Sequence, residues 1–307
     1  MKRFFVAIAA LGLAASVATA QDFNAAVDAF NAGAQALETN KVEALAQFRS
    51  ALTQALACEG EDAANLVAKC KEIIPGTLLS IAKEQINDAD YDKALITLAE
   101  AKSVAAEYEA AETAEEAASL VPNVYLRKGS TLLKEKDFAG AVAALEQATT
   151  LAVDNAQAQL LYGQALLQVN ATEKAVDALT KAHEMGQENA AKLLSTTYLR
   201  QGQALMKANK NAEAVEAFEK SNSYAESANA YKLMASALTK SGKSAKAIEA
   251  YKKYLEVSPD AKDAADILFT IAATAQKTGD KNTAKEYYKK LAGTKYAAQA
   301  EAQLKTL

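Results

Sequence analysis

Chemistry in this chain could rest on very few residues. His183 is the one histidine among 307 residues, which removes most routes to general acid–base and metal chemistry. Carboxylates are abundant, but they sit at i,i+3 and i,i+4 spacings with lysine, as in Glu213, Glu216 and Lys220, the pattern of a solvated helix face. No glycine-rich phosphate loop, GxSxG elbow or HExxH pair occurs. The two cysteines, Cys58 and Cys70, lie 12 residues apart without a CxxC arrangement or histidine ligands, so a redox or metal centre is not expected. The sequence predicts no enzyme and no cofactor.

The cysteines take their meaning from the compartment, and the N-terminus speaks to that. Lys2 and Arg3 precede an apolar run from Phe4 to Val17 that ends in Ala18-Thr19-Ala20. A basic start, a short apolar core and an A-x-A ending are a secretory leader, with cleavage before Gln21. The alternative is a membrane anchor, for which the run falls short of the ~20 apolar residues a bilayer requires. The residue directly after the cleavage site is Gln21 and not a cysteine, so a lipid anchor there is not expected, nor is a direct membrane anchor. The bacterial style of the leader points to the periplasm of a Gram-negative organism. In that compartment an even cysteine count predicts a Cys58–Cys70 disulfide, closing a ring that would stabilise by about 3 kcal/mol. Two buried free thiols are the other reading. Net charge is −4, and loss of Lys2 and Arg3 takes it two units lower. No basic block marks a nucleic-acid binder.

Composition is 50% hydrophobic with 3 Pro and no Trp, a mixture of Ala, Leu, Lys and Glu that favours helices. Gly129, Leu132, Ala141, Leu145 and Ala148 recur 34 residues later as Gly163, Leu166, Ala175, Leu179 and Ala182. A fixed period of helical patterning means a solenoid, in which each unit buries its apolar face on its neighbours. Equivalent alanines at 94, 141, 175, 214, 247 and 284 each begin a phrase with a large residue at plus four and usually a small one at plus seven. A weaker copy, Ala44-Phe48-Ala51, begins the series. Twelve residues before the mark lies a second phrase with a small residue, clearest at Gly129, Gly163, Gly202 and Ala235. Between the phrases stand the turn and cap signals Asp90, Asp137, Thr172, Asn211 and Ser244, with Gly242 and Gly279. Each repeat is therefore helix A, a tight turn and helix B.

With these residues the chain resembles the tetratricopeptide repeat family: a small residue at the eighth position, Ala at the twentieth, and Leu or an aromatic at the twenty-fourth. The resemblance is firm over about 120–291 and loose over 23–110. It implies an all-α, right-handed solenoid of about six or seven helix-turn-helix repeats, with helix A lining an inner groove. The groove positions it implies include Asn123, Leu126, Ser130, Gln157, Leu160, Gln164, Leu199, Gln203 and Lys232. Amides and hydroxyls alternate there with Leu, a surface able to hydrogen-bond an extended backbone and hold its apolar side chains. An ordinary solvated face is the alternative. The Lys and Asn arrangement with which some members clamp an acidic C-terminal peptide is missing, which argues against a chaperone adaptor.

The first marks are 50 and 47 apart, so insertions are expected in the N-terminal half. Pro75 reads as a helix start, and Thr113 with Glu116 as a capping box that opens a short helix before Pro122. One long helix B from about Tyr91 to Leu120 is equally compatible. Tyr296, Ala300 and Leu304 form the stripe of a closing helix. The organisation expected is a leader at 1–20, divergent repeats at 21–120, and regular repeats with a cap at 121–307. The function expected is a periplasmic interaction scaffold for an unknown protein or peptide. A structural envelope component that associates through convex faces or ends is the alternative.

Overall fold

A computed structural model describes residues 20–307. The leader reading therefore falls, but for Ala20, outside the described residues. The chain divides into two compact units that meet between Ala158 and Gln159. The first holds α1 (Ala20–Ala36), α2 (Lys41–Leu56), α3 (Glu61–Asn87), α4 (Tyr91–Glu107), α5 (Ala111–Glu135) and α6 (Phe138–Leu151). Helix α7 (Ala156–Gln168) carries most of its residues in the second unit. There it is followed by α8 (Thr172–Glu184), α9 (Glu188–Lys207), α10 (Asn211–Tyr224), α11 (Ala228–Lys240) and α12 (Ser244–Val257), then α13 (Ala264–Lys277), α14 (Lys281–Lys289) and α15 (Ala297–Leu304). Among the described residues there is no strand, and no helix is long and apolar enough to cross a membrane. The fold is an all-α solenoid of seven helix pairs with a single helix after the last. The boundary expected at 120 falls in the middle of α5.

One turn recurs between helix A and helix B. Ala89, Lys136, Asn170, Asn209, Gly242 and Gly279 all adopt positive φ, from 60° to 82°. The residue after each donates its amide to the carbonyl five positions back, as in Asp137 to Leu132, Ala171 to Leu166 and Lys243 to Leu238, each at 2.9 Å. That is a Schellman closure, which satisfies the orphan carbonyls of the helix it ends. Each of these six residues lies five positions before one of the marks from Ala94 to Ala284, so the spacing read from the sequence is the spacing of these turns. The turn also sets where helix B begins. Asp137 caps as expected, accepting from the Gly140 amide at 2.9 Å, and Asp280, which the sequence reading did not name, does the same for the Thr283 amide at 3.0 Å; Asp90 stands at the N-cap of α4 but makes no side-chain capping bond. Thr172, Asn211 and Ser244 instead lie one residue inside, because the residue directly after the left-handed position is the N-cap: Ala171, Lys210 and Lys243.

The insertions lengthen helix A and add no element. Helices α3, α5 and α9 run to 27, 25 and 20 residues, against 13 or 14 for α7, α11 and α13. Pro75 and Pro122 lie inside α3 and α5, which corrects both sequence expectations for these stretches. Each proline leaves the carbonyl four residues earlier, at Lys71 and Ala118, without its helical donor. Burial on both sides of Pro75, at Cys70, Ile74, Leu78 and Leu79, outweighs that loss. Helix α4 stops at Glu107, and Glu109 turns the chain with φ of 60°. Residues 111–120 are the first half of α5, so neither the separate short helix nor the single long helix B forms.

Small and large residues pair across helices A and B. A Cβ placed on Gly129 would lie 2.4 Å from Leu145, one on Gly163 2.6 Å from Leu179, and one on Gly202 2.5 Å from Phe218. Leu145, Leu179 and Phe218 are fully buried. The missing side chain is what lets the paired helices approach.

The expected disulfide is not made, and both cysteines are free thiols. Cys58 lies just past the end of α2 and donates its thiol to the Gln54 carbonyl at 3.3 Å. Cys70 sits nine residues into α3, about 13 Å along its axis at 1.5 Å per residue. A disulfide requires Cα atoms within about 7 Å. Cys70 is fully buried, which pushes its thiol pKa up to about 11.

Candidate functional site

Helix A is buried on the side that meets helix B and open on the other. At its eighth position Gly129, Gly163, Gly202 and Ala235 are all buried. Asn123 and Gln157 are exposed, whereas Leu126, Ser130, Gln164, Leu199 and Gln203 are half-buried. Among the described residues, the side chains of Asn123, Ser130, Gln157, Gln164 and Gln203 make no intramolecular hydrogen bond. Amides held on rigid helices with their donors and acceptors free can serve a ligand backbone.

Two of the expected site residues have other duties. Leu160 is 4% exposed and packs with Leu179, Ala182, Ala190 and Leu194, so it belongs to the core and not to a ligand surface. Lys232 is an ion-pair partner: its ammonium lies 2.5 Å from the Asp263 carboxylate and 5.7 Å from the centre of the Tyr254 ring. Tyr254 donates its hydroxyl to the same carboxylate at 2.5 Å. Bonds from Lys232 and then Tyr254 hold Asp263 below the usual carboxylate range. The bond to Asp263, followed by burial, pushes the Tyr254 pKa up to about 12. This cluster ties α11 and α12 to the start of α13. His183 is exposed and meets the Tyr224 ring edge-on at 5.5 Å. Among the described residues no group of histidine, cysteine and carboxylate side chains is placed to hold a metal ion.

The first unit adds a feature that the sequence reading passed over. A cavity of about 340 Å³ opens between α3 and α5, lined on one side by Lys83, Ile86 and Asn87 and on the other by Asn123, Arg127 and their neighbours. Only Asn123 was among the expected site residues. The missed signal was available: Ala82 precedes Leu98 by 16 residues, as Gly129 precedes Leu145. That register places Lys83, Ile86 and Asn87 on the helix A face, but the 50-residue spacing obscured it.

Comparison with known proteins agrees with this architecture. A tetratricopeptide repeat family model matches residues 126–190 and 199–265, and a second model of the same description matches 265–295. Together they span more than half of the chain, which belongs to the tetratricopeptide repeat family. Proteins built of this repeat bind proteins or peptides and are typically non-catalytic; the chain is a protein–protein interaction scaffold.

Solved structures with likeness to it include a MamA protein, 21% identical over 59% of this chain and 96% of that one, with a TM-score of 0.36. MamA from Desulfovibrio magneticus RS-1 is 20% identical over 55% and 92%, with a TM-score of 0.33. YrrB, described as having an unusual peptide-binding site, is 18% identical over 60% and 91%, with a TM-score of 0.33. No curated protein sequence matches.

Proposed function

We propose that this chain is exported to the periplasm of a Gram-negative bacterium and holds an extended segment of a partner protein on the open faces of its A helices. The observation that carries the reading is the set of amides and hydroxyls on each unit's A helices, Asn123 and Ser130 in the first and Gln164 and Gln203 in the second, whose side chains make no hydrogen bond among the described residues. An extended backbone offers the complementary donors and acceptors at every residue, and half-buried Leu126 in the first unit and Leu199 in the second supply apolar contact beside them.

Site-specific photo-crosslinking in living cells tests it. A photoreactive residue at Gln164 or Gln203 should trap a discrete partner chain, whereas one at Glu216, exposed on α10, should not. Equal trapping at all three sites, or none at the first two, would sink the assignment. Export has its own readout: the mature protein should begin at Gln21, and a chain recovered with Met1 intact refutes it.

A second reading, association of like chains through the B helices, is favoured by Val42 and Ile96, which are 65% and 69% exposed. It requires mass to grow with concentration in light scattering.

A further inference from the structure

The cavity between α3 and α5 has a chemistry of its own. Its floor is apolar, with Val124 fully buried, Ile86 9% exposed and Leu120 half-buried. Its rim carries two exposed amides, Asn87 and Asn123, that make no hydrogen bond among the described residues. One cation on its wall is unmatched. Lys83 is matched by Glu116 at 2.6 Å, and Lys128 by Asp92 at 2.5 Å. Arg127, on the cavity wall, has no acidic partner among the described residues. Its guanidinium offers a planar fork of donors that fits a carboxylate. The cavity volume stands at the low end of the ~300–1,000 Å³ seen in ligand pockets, room for one large side chain and the groups beside it.

We propose that this cavity receives a large apolar side chain from the partner's extended segment, and that Arg127 holds a carboxylate directly following it. The inference rests on the reading of helix A as the binding face and names the ligand chemistry at one place on it. Ile86, Leu120 and Val124 remove the apolar side chain from water, the two amides meet the backbone around it, and Arg127 selects the acidic group. That group is either an Asp or Glu side chain or the end of a chain.

Arrayed peptides separate these sources. The full mature protein is applied to capped peptides Ala-Ala-Xaa-Zaa-Ala-Ala with every residue at Xaa and Zaa. A second set ends at Xaa with a free carboxylate, and a third tiles this chain's own sequence. Binding should be strongest with Leu, Met or Phe at Xaa, and acidic residues at Zaa should exceed Lys by about tenfold. The second set should bind comparably if a chain end is the natural source, and weakly if a side chain is. Arg127→Glu should reverse the preference at Zaa toward Lys, a gain that a misfolded variant cannot produce. Indifference to Zaa, or an unchanged preference in Arg127→Glu, overturns the proposal, as does strongest capture by the chain's own peptides. If binding falls with Gln164→Ala and Gln203→Ala but ignores Arg127, this site is refuted and the helix A reading stands. Absence of binding to every peptide refutes both.

Discussion

Gly202 faces the ring of Phe218, and Gly76 faces open space, so one substitution separates the two uses of glycine in this chain. A Cβ on Gly202 would lie 2.5 Å from a fully buried ring that has nowhere to move. Gly202→Ala should therefore lower the unfolding free energy by about 1–3 kcal/mol. A Cβ on Gly76 meets nothing within 4 Å. Gly76→Ala should raise stability by about 0.5–1 kcal/mol through helix propensity alone. Urea titration reads both, and equal effects would mean that interhelical packing does not require Gly202. The small–large pairing was legible because Gly129 with Leu145 and Gly163 with Leu179 repeat at one offset. The duties of Leu160 and Lys232 were not, since repeat register says which face a residue shares and not which neighbour claims it.

Cys70 gives a pH signature at the same scale. Its thiol ionises near 9.0 when exposed and near 11 in the fold, because burial disfavours the thiolate. A pKa raised by folding contributes stability that is complete below pH 9, declines as the unfolded state begins to ionise, and is gone above about 11. About 2–3 kcal/mol should be lost across that window. Cys70→Ala should flatten this part of the curve. Loss attributable to Tyr254 falls higher, between 10 and about 12. Reaction with a thiol reagent at pH 8 should label Cys58 and spare Cys70 until the protein is unfolded.

At the scale of elements, the period between repeats was written in the turns, and the length of α3 and α5 was hidden by prolines. Sequence reading treats Pro75 and Pro122 as boundaries, since an interior proline removes one helical hydrogen bond and crowds the preceding turn. It cannot weigh that local cost against burial, which depends on which helices lie alongside. In α5 the cost persists at Pro122, where the Ala118 carbonyl lacks its donor. Pro122→Ala should supply the Ala118 carbonyl with its helical donor and raise stability by about 1–3 kcal/mol. Because Asn123 and Arg127 follow Pro122 within the next turns of α5, the same variant should alter peptide binding at the cavity even as the fold gains stability. A stabilised variant with wild-type binding would show that the proline does not position them.

For the whole molecule, a solenoid must end, and the C-terminal helix shows how. Helix α15 places Ala300 in the core, and the Tyr296 ring just before it stacks on Phe269 at 4.6 Å. Gln303 accepts from the Gln276 amide at 2.9 Å, and Lys295 pairs with Asp266 at 2.5 Å, so the cap is held to α13 by polar as well as apolar contacts. This ending was readable from the stripe Tyr296, Ala300 and Leu304, since an amphipathic segment after the last repeat has one apolar face to cover. In a one-dimensional array stability is a sum of repeat terms and nearest-neighbour interfaces. Removing residues 296–307 deletes one interface and should cost about 2–4 kcal/mol from the apolar area uncovered around Phe269 and Leu291. The loss should also be local. Hydrogen exchange should accelerate in α13 and α14 and leave α9 and α10, two repeats away in the same unit, close to their original protection. Uniform acceleration through the unit would mean that it unfolds as one cooperative block, and the additive description of the array would have to be given up.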